Sequence, residues 1–240
     1  MKLLVDAGNT RIKWALVDGN KWLLDSALPV EQAHELAHRL AGLRDIRQTW
    51  ASNVAGEKVA QHIRDACAGL PPPHFVVARQ AQCGVRNAYS NPAQLGSDRW
   101  AALIAAWHLV RGPCLVASSG TATTIDALSP TGEFIGGLIL PGMELMRRSL
   151  HGATAQLRAA AQGEYAPFPS NTADALYSGA LQATCGAIER QHALLGKNDA
   201  PVLLSGGAAA ALQDRLNVPL RIVDNLTLQG LLLIAQETDA

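Results

Sequence analysis

The fold is decided by the opening of the chain, residues 3–24, which read LLVDAGNTRIKWALVDGNKWLL. Two apolar, β-prone runs flank the break at residues 8–10, and the hairpin signal at residues 18–20 leads into a third run. The pattern predicts a meander of three strands. Apolar residues at helical spacing over 30–43 and 58–68, with strand-like runs at 47–52 and 75–77, extend it into an α/β unit.

The same plan starts again at residue 115, where the chain reads LVASSGTATTIDALSPTGEFIGGLIL through residue 140. Helical and strand-like runs then follow in the same order as before. The sequence therefore predicts two copies of one plan, residues 1–112 and 113–240, with a boundary near Gly112-Pro113.

Each copy places a glycine-containing turn between its first two strands, at residues 6–10 and 118–122. Glycine lacks the Cβ that would keep a phosphate away from the backbone, while Thr and Asn offer donors to its oxygens. If the two copies face each other across a cleft, both turns point into it. A third break, Ser205-Gly206-Gly207, has the same strand-glycine-helix form.

Composition narrows the class of protein. Among 240 residues, 20 basic side chains balance 20 acidic ones, so no global field favours nucleic acid or an anionic membrane. The four cysteines lie far apart without C-x-x-C spacing, and no apolar stretch approaches the ~20 residues of a membrane span. We expect a cytoplasmic protein that binds small molecules at a local site, without nucleic acid or membrane as a partner.

Five sequence motifs resemble those of the type III pantothenate kinases, within the actin, Hsp70 and sugar-kinase superfamily. D-x-G-N-[ST]-x-x-K is met by residues 6–13, Y-x-x-P-x-x-L-G-x-D-R by 89–99, G-T-A-T-T-x-D by 120–126, G-G-x-I-x-P-G by 136–142 and N-T-x-x-A by 171–175. The second is the most specific, because six fixed positions agree in eleven. The resemblance covers nearly the whole chain.

This resemblance implies an α/β fold of two duplicated ribonuclease-H-like lobes with a cleft between them, as in actin-like ATPases. It further implies ATP and pantothenate as substrates, 4′-phosphopantothenate as product, the first step of coenzyme A synthesis, and a homodimer. The Ala- and Gly-rich segment 173–187 suits close helix packing in such a dimer.

The nucleotide and its metal ion are expected at the first and third motifs. Asp6 ends a strand beside the first turn, where a carboxylate suits hydrated Mg²⁺, although a turn-capping aspartate is the alternative. Lys13 either neutralises developing phosphoryl charge or lies on a solvated strand face. The resemblance implies this nucleotide-binding set: Asp6, Gly8, Asn9, Thr10, Lys13, Gly120 and Thr121.

The acceptor substrate is expected at the second and fifth motifs. Asp98 opens the helical run 97–111, where it either acts as the general base of a kinase or only complements the helix dipole. Arg99 offers a planar charged fork to a carboxylate such as that of pantothenate. Tyr89 is either a pocket residue or a core tyrosine. The implied substrate set is Tyr89, Gly96, Ser97, Asp98, Arg99 and Thr172.

One position departs from the family pattern. Where the family has D-x-G-T, this chain has Ser118-Ser119-Gly120-Thr121, so a serine replaces the aspartate that helps to hold an activating K⁺ or NH₄⁺. A neutral hydroxyl is a weaker ligand for a cation than a carboxylate. We therefore expect a looser or altered dependence on monovalent cations.

Two other functions compete with the kinase. The H-E-x-x-H spacing of His34, Glu35 and His38 fits a helical zinc hydrolase, but a core stripe lies on the same helix and no third ligand follows at a recognisable spacing. Ser118 alone suggests a non-catalytic regulator that keeps the kinase fold. Against it, the other predicted catalytic and binding side chains remain.

Overall fold

The computed structural model describes residues 1–153 and 163–239, which fall into two compact units. The first unit combines Met1–Leu109 with Asn225–Ala240, and the second is Val110–Asp224. The last helix of the chain thus belongs with the first unit. The division at residues 112 and 113 describes the sequence repeat and stays a prediction.

The described residues form twelve strands and seven α-helices. The strands are β1 (Lys2–Ala7), β2 (Arg11–Asp18), β3 (Lys21–Pro29), β4 (Gln48–Asn53), β5 (Pro73–Phe75), β6 (Ala81–Gln82), β7 (Val85–Asn87), β8 (Cys114–Ser119), β9 (Ala122–Leu128), β10 (Glu133–Pro141), β11 (Val202–Ser205) and β12 (Leu220–Ile222). The helices are α1 (Leu36–Leu40), α2 (Glu57–Ala66), α3 (Ser97–Val110), α4 (Met143–Ala153), α5 (Thr172–Leu195), α6 (Ala209–Gln213) and α7 (Leu226–Glu237).

The first unit is built on a sheet with the strand order β3-β2-β1-β4-β5. Strands β1, β2 and β3 form the predicted antiparallel meander, while β4 and β5 continue the sheet in parallel with β1. Central strand β1 is buried on both faces, with Leu3, Leu4 and Val5 fully inaccessible. Its continuous apolar sequence is the pattern of a strand covered on both sides.

The helix predicted over residues 30–43 is not one continuous helix. Val30–Glu35 forms a 3₁₀ turn with non-helical backbone at Gln32 (φ −97°, ψ 17°), and α1 starts only at Leu36. Gly42, with φ 93°, lies just beyond its end. The apolar side chains still reach the core, because Ala33, Leu36 and Leu40 are buried against the sheet.

The β6–β7 hairpin was not predicted. Its turn is Cys83-Gly84, and both residues have positive φ, 51° and 78°. Two consecutive left-handed residues match the twist of a tight hairpin, and glycine adopts that conformation without strain. The flanking strands contain only two and three residues, too few for alternation to be visible in the sequence.

The second unit repeats the plan of the first. Within its described residues the strands lie in the order β12-β11-β8-β9-β10, with β8, β9 and β10 antiparallel and β11 and β12 parallel to β8. When the strands are counted from the start of each unit, the first unit has the order third, second, first, fourth, fifth. The second unit has the same order, read from the opposite edge of the sheet. Both units therefore have the predicted ribonuclease-H-like topology.

All four cysteines are free thiols, and three of them, Cys67, Cys114 and Cys185, are buried. Burial raises the pKa of the Cys114 thiol to about 12, which keeps it protonated and unreactive. In the described ranges no helix is both long and apolar enough to cross a membrane.

Helix α7 packs against α3 at a glycine, which makes a direct test of this fold. A Cβ at Gly230 would lie 1.9 Å from the Ala101 carbonyl oxygen, a backbone atom that cannot rotate away. We expect Gly230→Ala to lower the free energy of unfolding by about 2 kcal/mol or more, measured by urea denaturation. Gly207→Ala is the control, since a Cβ there meets nothing within 4 Å. Equal stability of the two variants would contradict this packing.

Candidate active site

The turn between β1 and β2 is closed by its own backbone. The Gly8 N–H donates to the Arg11 carbonyl oxygen at 3.0 Å, and the Val30 N–H donates to that of Thr10 at 2.9 Å. Asn9 and Thr10 are exposed. The Asp6 carboxyl group forms its hydrogen bond with the Thr227 side chain, while backbone hydrogen bonds close this turn.

The Asp6 carboxyl group lies among charged and polar side chains of the first unit. Its pKa is raised to about 7, first by burial and then by the neighbouring Asp98 carboxylate, while Lys13 and a hydrogen bond with the Thr227 side chain oppose the rise. Lys13 is the register partner of Asp6 on the adjacent strand β2. The first and second motifs thus bring two carboxyl groups and a lysine together.

Helix α7 supplies contacts that the sequence did not reveal. Thr227 hydrogen-bonds to Asp6, and the Asn225 Oδ1 atom accepts a hydrogen bond from Lys13 Nζ at 3.3 Å. Lys13 is partly buried, so it does not lie on a solvated face. No motif marks residues 225–227, and their relation to Asp6 depends on the tertiary structure alone.

The start of α3 holds Asp98 in a defined position. Asp98 Oδ1 accepts a hydrogen bond from the Arg99 N–H at 2.8 Å, which is the helix-end role expected of a first-turn aspartate. The Ser97 and Ser52 hydroxyl oxygens are 2.9 Å apart, which ties the helix to β4. A Cβ at Gly96 would lie 2.6 Å from Asp98 Oδ1, so glycine is needed for this position of the carboxylate.

The two ends of the second motif meet in space. Arg99 is only 7% exposed, and its Nη1 atom lies 3.4 Å from the Tyr89 hydroxyl oxygen. Asn87 Oδ1 accepts a hydrogen bond from the Tyr89 N–H at 3.0 Å and orients that segment. Tyr89 remains partly exposed. It is therefore not a core tyrosine, and its exposed part is accessible to a ligand.

The second glycine turn, residues 119–121, is braced by two other glycines of its unit. The Gly142 N–H donates to the Thr121 carbonyl oxygen at 2.9 Å, and a Cβ at Gly142 would lie 2.0 Å from the carbonyl oxygen of Gly120. Gly206 has φ 97°, and a Cβ there would lie 2.3 Å from the Ser119 carbonyl oxygen. Close backbone contact explains why these positions are glycine.

A cavity of about 350 Å³ adjoins this turn. Inside it the Arg147 Nη1 atom donates to Glu144 Oε2 at 3.1 Å. The volume is within the range of small-molecule sites, and a mixture of small, aromatic and charged side chains suits a nucleoside. Sequence reasoning missed the α4 residues because no motif contains them. The lining is formed by Ser119, Gly120, Met143, Glu144, Arg147, Tyr177, Gly207, Ala208 and Ala211.

Thr172, the predicted pantothenate contact, is the first residue of α5 in the second unit. It is exposed, and the preceding Asn171 caps the helix by accepting a hydrogen bond from the Asp174 N–H at 3.0 Å. The Thr172 hydroxyl group is thus presented at a well-formed helix start, beside backbone N–H groups that lack intrahelical partners.

Ser118 lies among other neutral hydroxyl groups. It is the register partner of Thr124 on β9 and of Ser205 on β11. The neighbouring Ser119 hydroxyl is 3.0 Å from that of Thr123, so these two groups satisfy each other. This row offers hydroxyl groups and no carboxylate, so it is a weaker set of cation ligands than the aspartate that the family resemblance implies.

The H-E-x-x-H spacing does not lie on one α-helix. His34 and Glu35 end the 3₁₀ turn, whereas His38 belongs to α1. Glu35 forms an ion pair with Arg39, with 3.6 Å between Oε2 and Nη2. Across residues 1–153 and 163–239, no three His, Cys, Asp or Glu side chains group as a metal site. The helical geometry that a zinc hydrolase requires is absent from this segment.

Comparison with known proteins identifies relatives over the full chain. The sequence model of the family described as type III pantothenate kinase matches residues 2–193. The type III pantothenate kinase of Nitrosospira multiformis is 50% identical, with 98% of this chain and 91% of the relative covered. That of Aromatoleum aromaticum is 48% identical, with 100% of both chains covered.

Solved structures show the same fold at lower identity. A Baf family protein from Campylobacter jejuni has a TM-score of 0.64 at 22% identity, with 99% of this chain and 98% of that chain covered. Component A of the (R)-2-hydroxyglutaryl-CoA dehydratase of Acidaminococcus fermentans has a TM-score of 0.56 at 14% identity, covering 98% and 96%. At these identities the likeness concerns the fold alone.

The raised pKa of Asp6 predicts how stability changes with pH. The folded protein keeps this proton up to about pH 7, whereas the unfolded chain, with the ordinary value of 3.8, releases it earlier. The contribution of the protonated Asp6 carboxyl group to the free energy of unfolding is therefore fully present below about pH 4, and it is lost as the pH rises through 7. We expect the free energy of unfolding of Asp6→Asn to equal that of the wild type near pH 4 and to exceed it by about 2 kcal/mol at pH 8. This figure is smaller than the full pKa shift would give, because part of Asp6 is exposed to solvent. Urea denaturation at both pH values measures this difference, and an equal difference at both contradicts it.

Proposed function

The chain belongs to the type III pantothenate kinase family, and on that premise we propose that it transfers the γ-phosphate of ATP to pantothenate with Asp98 as the general base. The observation that carries the assignment of roles is that the carboxyl group of Asp6, near the end of β1, and that of Asp98, at the start of α3, are close enough to influence each other. One carboxylate serves the metal ion and the other the acceptor hydroxyl group.

Asp98 removes the proton from the primary hydroxyl group of pantothenate. The hydroxyl oxygen forms a bond to the γ-phosphorus while the bond from that phosphorus to the β,γ-bridging oxygen breaks. The proton passes to a carboxylate oxygen of Asp98, and ADP leaves. Gly96 leaves Asp98 the space to hold its carboxylate in place, and the Arg99 N–H fixes its rotamer.

Asp6 is the proposed Mg²⁺ ligand. Its carboxylate oxygens are donors of the kind that Mg²⁺ prefers, and the Thr227 side chain hydrogen-bonds to this carboxyl group. A magnesium site usually has one or two carboxylates, with phosphate oxygens and water completing the shell, and this donor set fits that pattern. When bound, the ion would neutralise charge on the phosphate oxygens.

The glycine turn of each unit is proposed as a binding element for the phosphates of ATP. The exposed Asn9 and Thr10 side chains and the backbone of Gly8 contact phosphate oxygens, and Lys13 supplies positive charge. Gly120 and Thr121 do the same in the second unit, where the adjoining cavity of about 350 Å³ accommodates the nucleoside.

Pantothenate is proposed to bind through its two polar ends. The Arg99 guanidinium group, which Tyr89 contacts, pairs with the carboxylate, and Gly96 and Ser97 line the approach to Asp98. In the second unit, the Thr172 hydroxyl group is separately proposed as a pantothenate contact. Arginine suits this task because its fork matches the two oxygens of a carboxylate.

The activity is tested by ADP release from Mg-ATP with and without pantothenate, with mass spectrometry of the product. We expect pantothenate-dependent release and a product that has gained one phosphate group. Asp98→Asn should lower kcat by roughly 10²–10⁴, the usual contribution of a general base, and Gly96→Ala should lower it by displacing the carboxylate. Absence of release under all conditions would favour the non-catalytic regulator, and full turnover by Asp98→Asn would exclude the base role.

The same assay in Na⁺, K⁺ and NH₄⁺ buffers tests the consequence of Ser118. Because Ser118, Thr124 and Ser205 are neutral, we propose that turnover depends little on the identity of the monovalent cation. Similar rates in the three salts are expected. A rate that saturates with K⁺ and falls to background in Na⁺ contradicts this.

We further propose a cytoplasmic homodimer, in keeping with the four free thiols. Along α5, Ala175, Gly179, Ala183 and Gly186 are exposed at helical spacing, and a Cβ at either glycine meets nothing within 4 Å. A helix face lined by such small residues permits close packing against the same helix of a second copy.

Light scattering of Ala183→Glu tests the dimer. We expect the wild type to be dimeric and the variant to be monomeric or in concentration-dependent exchange, because a charge would be buried at the contact. Ala68→Glu, an equal change at an exposed position of the first unit, should leave the dimer intact. A monomeric wild type overturns the proposal, as does an unchanged mass of Ala183→Glu.

A further inference from the structure

The start of α7 contacts both members of a functional pair that come from different strands. Asp6 on β1 and Lys13 on β2 are register partners, and their two side chains interact electrostatically. Thr227 hydrogen-bonds to the first, and Asn225 Oδ1 accepts from Nζ of the second at 3.3 Å. One short segment, residues 225–227, therefore holds the proposed metal ligand and the proposed phosphate-binding lysine.

Asn225 has a backbone suited to this contact. Its φ of 52° and ψ of 36° are left-handed, a conformation that asparagine tolerates better than most residues. Although it precedes the helix, its side chain makes no capping hydrogen bond. The amide oxygen accepts the hydrogen bond from Lys13 instead, so the helix lacks the side-chain cap that an asparagine at this position usually provides.

The rest of α7 is anchored firmly enough to act as a fixed support. Gly230 lets α7 approach α3 so closely that a Cβ would lie 1.9 Å from the Ala101 carbonyl oxygen. Lys2 Nζ donates to the Ala235 carbonyl oxygen at 3.0 Å near the other end. Leu228 and Leu231 are buried. Since α3 also bears Asp98, the same helix pair determines the relative positions of both carboxyl groups.

We propose that Thr227 and Asn225 are positioning residues: Thr227 orients the Asp6 carboxylate for Mg²⁺, and Asn225 orients the Lys13 ammonium group for phosphate. The proposal rests on the proposed role of Asp6 as metal ligand. The Thr227 hydroxyl donates its hydrogen to one carboxylate oxygen and leaves the remaining lone pairs for the ion. A hydrogen bond from a neighbouring side chain to a metal-ligating carboxylate fixes the orientation of that carboxylate before the ion binds.

Thr227→Val tests the first half, because valine keeps the shape and removes the hydroxyl group. We expect the Mg²⁺ concentration for half-maximal activity to rise about tenfold, with the KM for pantothenate unchanged. Thr227→Ser should restore the wild-type value. Thr238→Val is the matched control at the C-terminal cap of α7, where the Thr238 hydroxyl group donates to the Ile234 carbonyl oxygen at 3.1 Å.

A second readout does not require turnover. The rise in Tm on adding Mg²⁺ alone should be smaller for Thr227→Val than for the wild type, Thr227→Ser and Thr238→Val. If Thr227→Val behaves as the wild type in both measurements, or if Thr227→Ser fails as valine does, the hydroxyl group has no positioning role. If the wild type itself does not phosphorylate pantothenate, the proposed function fails while the Tm comparison still decides on Thr227.

Asn225→Gly and Asn225→Asp test whether Asn225 orients the Lys13 ammonium group. They also keep the proposal testable if Thr227→Val does not fold. Glycine keeps the left-handed backbone but removes the acceptor, so the KM for ATP should rise. Aspartate keeps an acceptor oxygen and should retain a KM near that of the wild type. Equal KM values for the glycine variant and the wild type would remove Asn225 from this role.

Discussion

A carboxyl group at the end of a buried strand is the constraint on which the first unit depends. Strand β1 is covered on both faces, and Asp6 near its end lies in surroundings that disfavour a negative charge. The adjacent groups either offset that charge, as Lys13 and Thr227 do, or add to the repulsion, as Asp98 does. A bound cation would relieve both effects, which supports the proposal that Asp6 holds Mg²⁺.

Much of the fold and part of the site could be predicted from local sequence. The meander of β1 to β3 has alternating or continuous apolar runs and a strong turn signal, both of which act between neighbours in the chain. The motif residues Asp6 and Asp98 were identified, and the structure brings them together. The helix predicted over 30–43 failed because apolar spacing locates the buried face without showing that the backbone at Gln32 leaves the helical region.

Other parts of the site had no local signal. Thr227 and Asn225 lie more than two hundred residues from Asp6, in a helix whose pattern indicates only burial. The cavity around Arg147 depends on α4 meeting the segment after β11, which no spacing rule specifies. The motif glycines are intermediate: their presence was visible, but the reason for Gly142 and Gly206 is the close contact of their backbone with residues 119–121. Steric exclusion of a side chain explains these positions as fully as direct contact with a ligand.

The return of the chain to the first unit at Asn225 affects the order of folding. Strands β1 to β3 are joined by short turns, but α7 docks on the first unit only after residues 110–224 have intervened in the chain. Closing so long a loop costs entropy that is recovered only on docking, and high contact order slows folding. The carboxylate support supplied by α7 should therefore form in the last, slowest kinetic phase, after both sheets are assembled. A refolding experiment would show sheet structure first and metal-dependent stabilisation later.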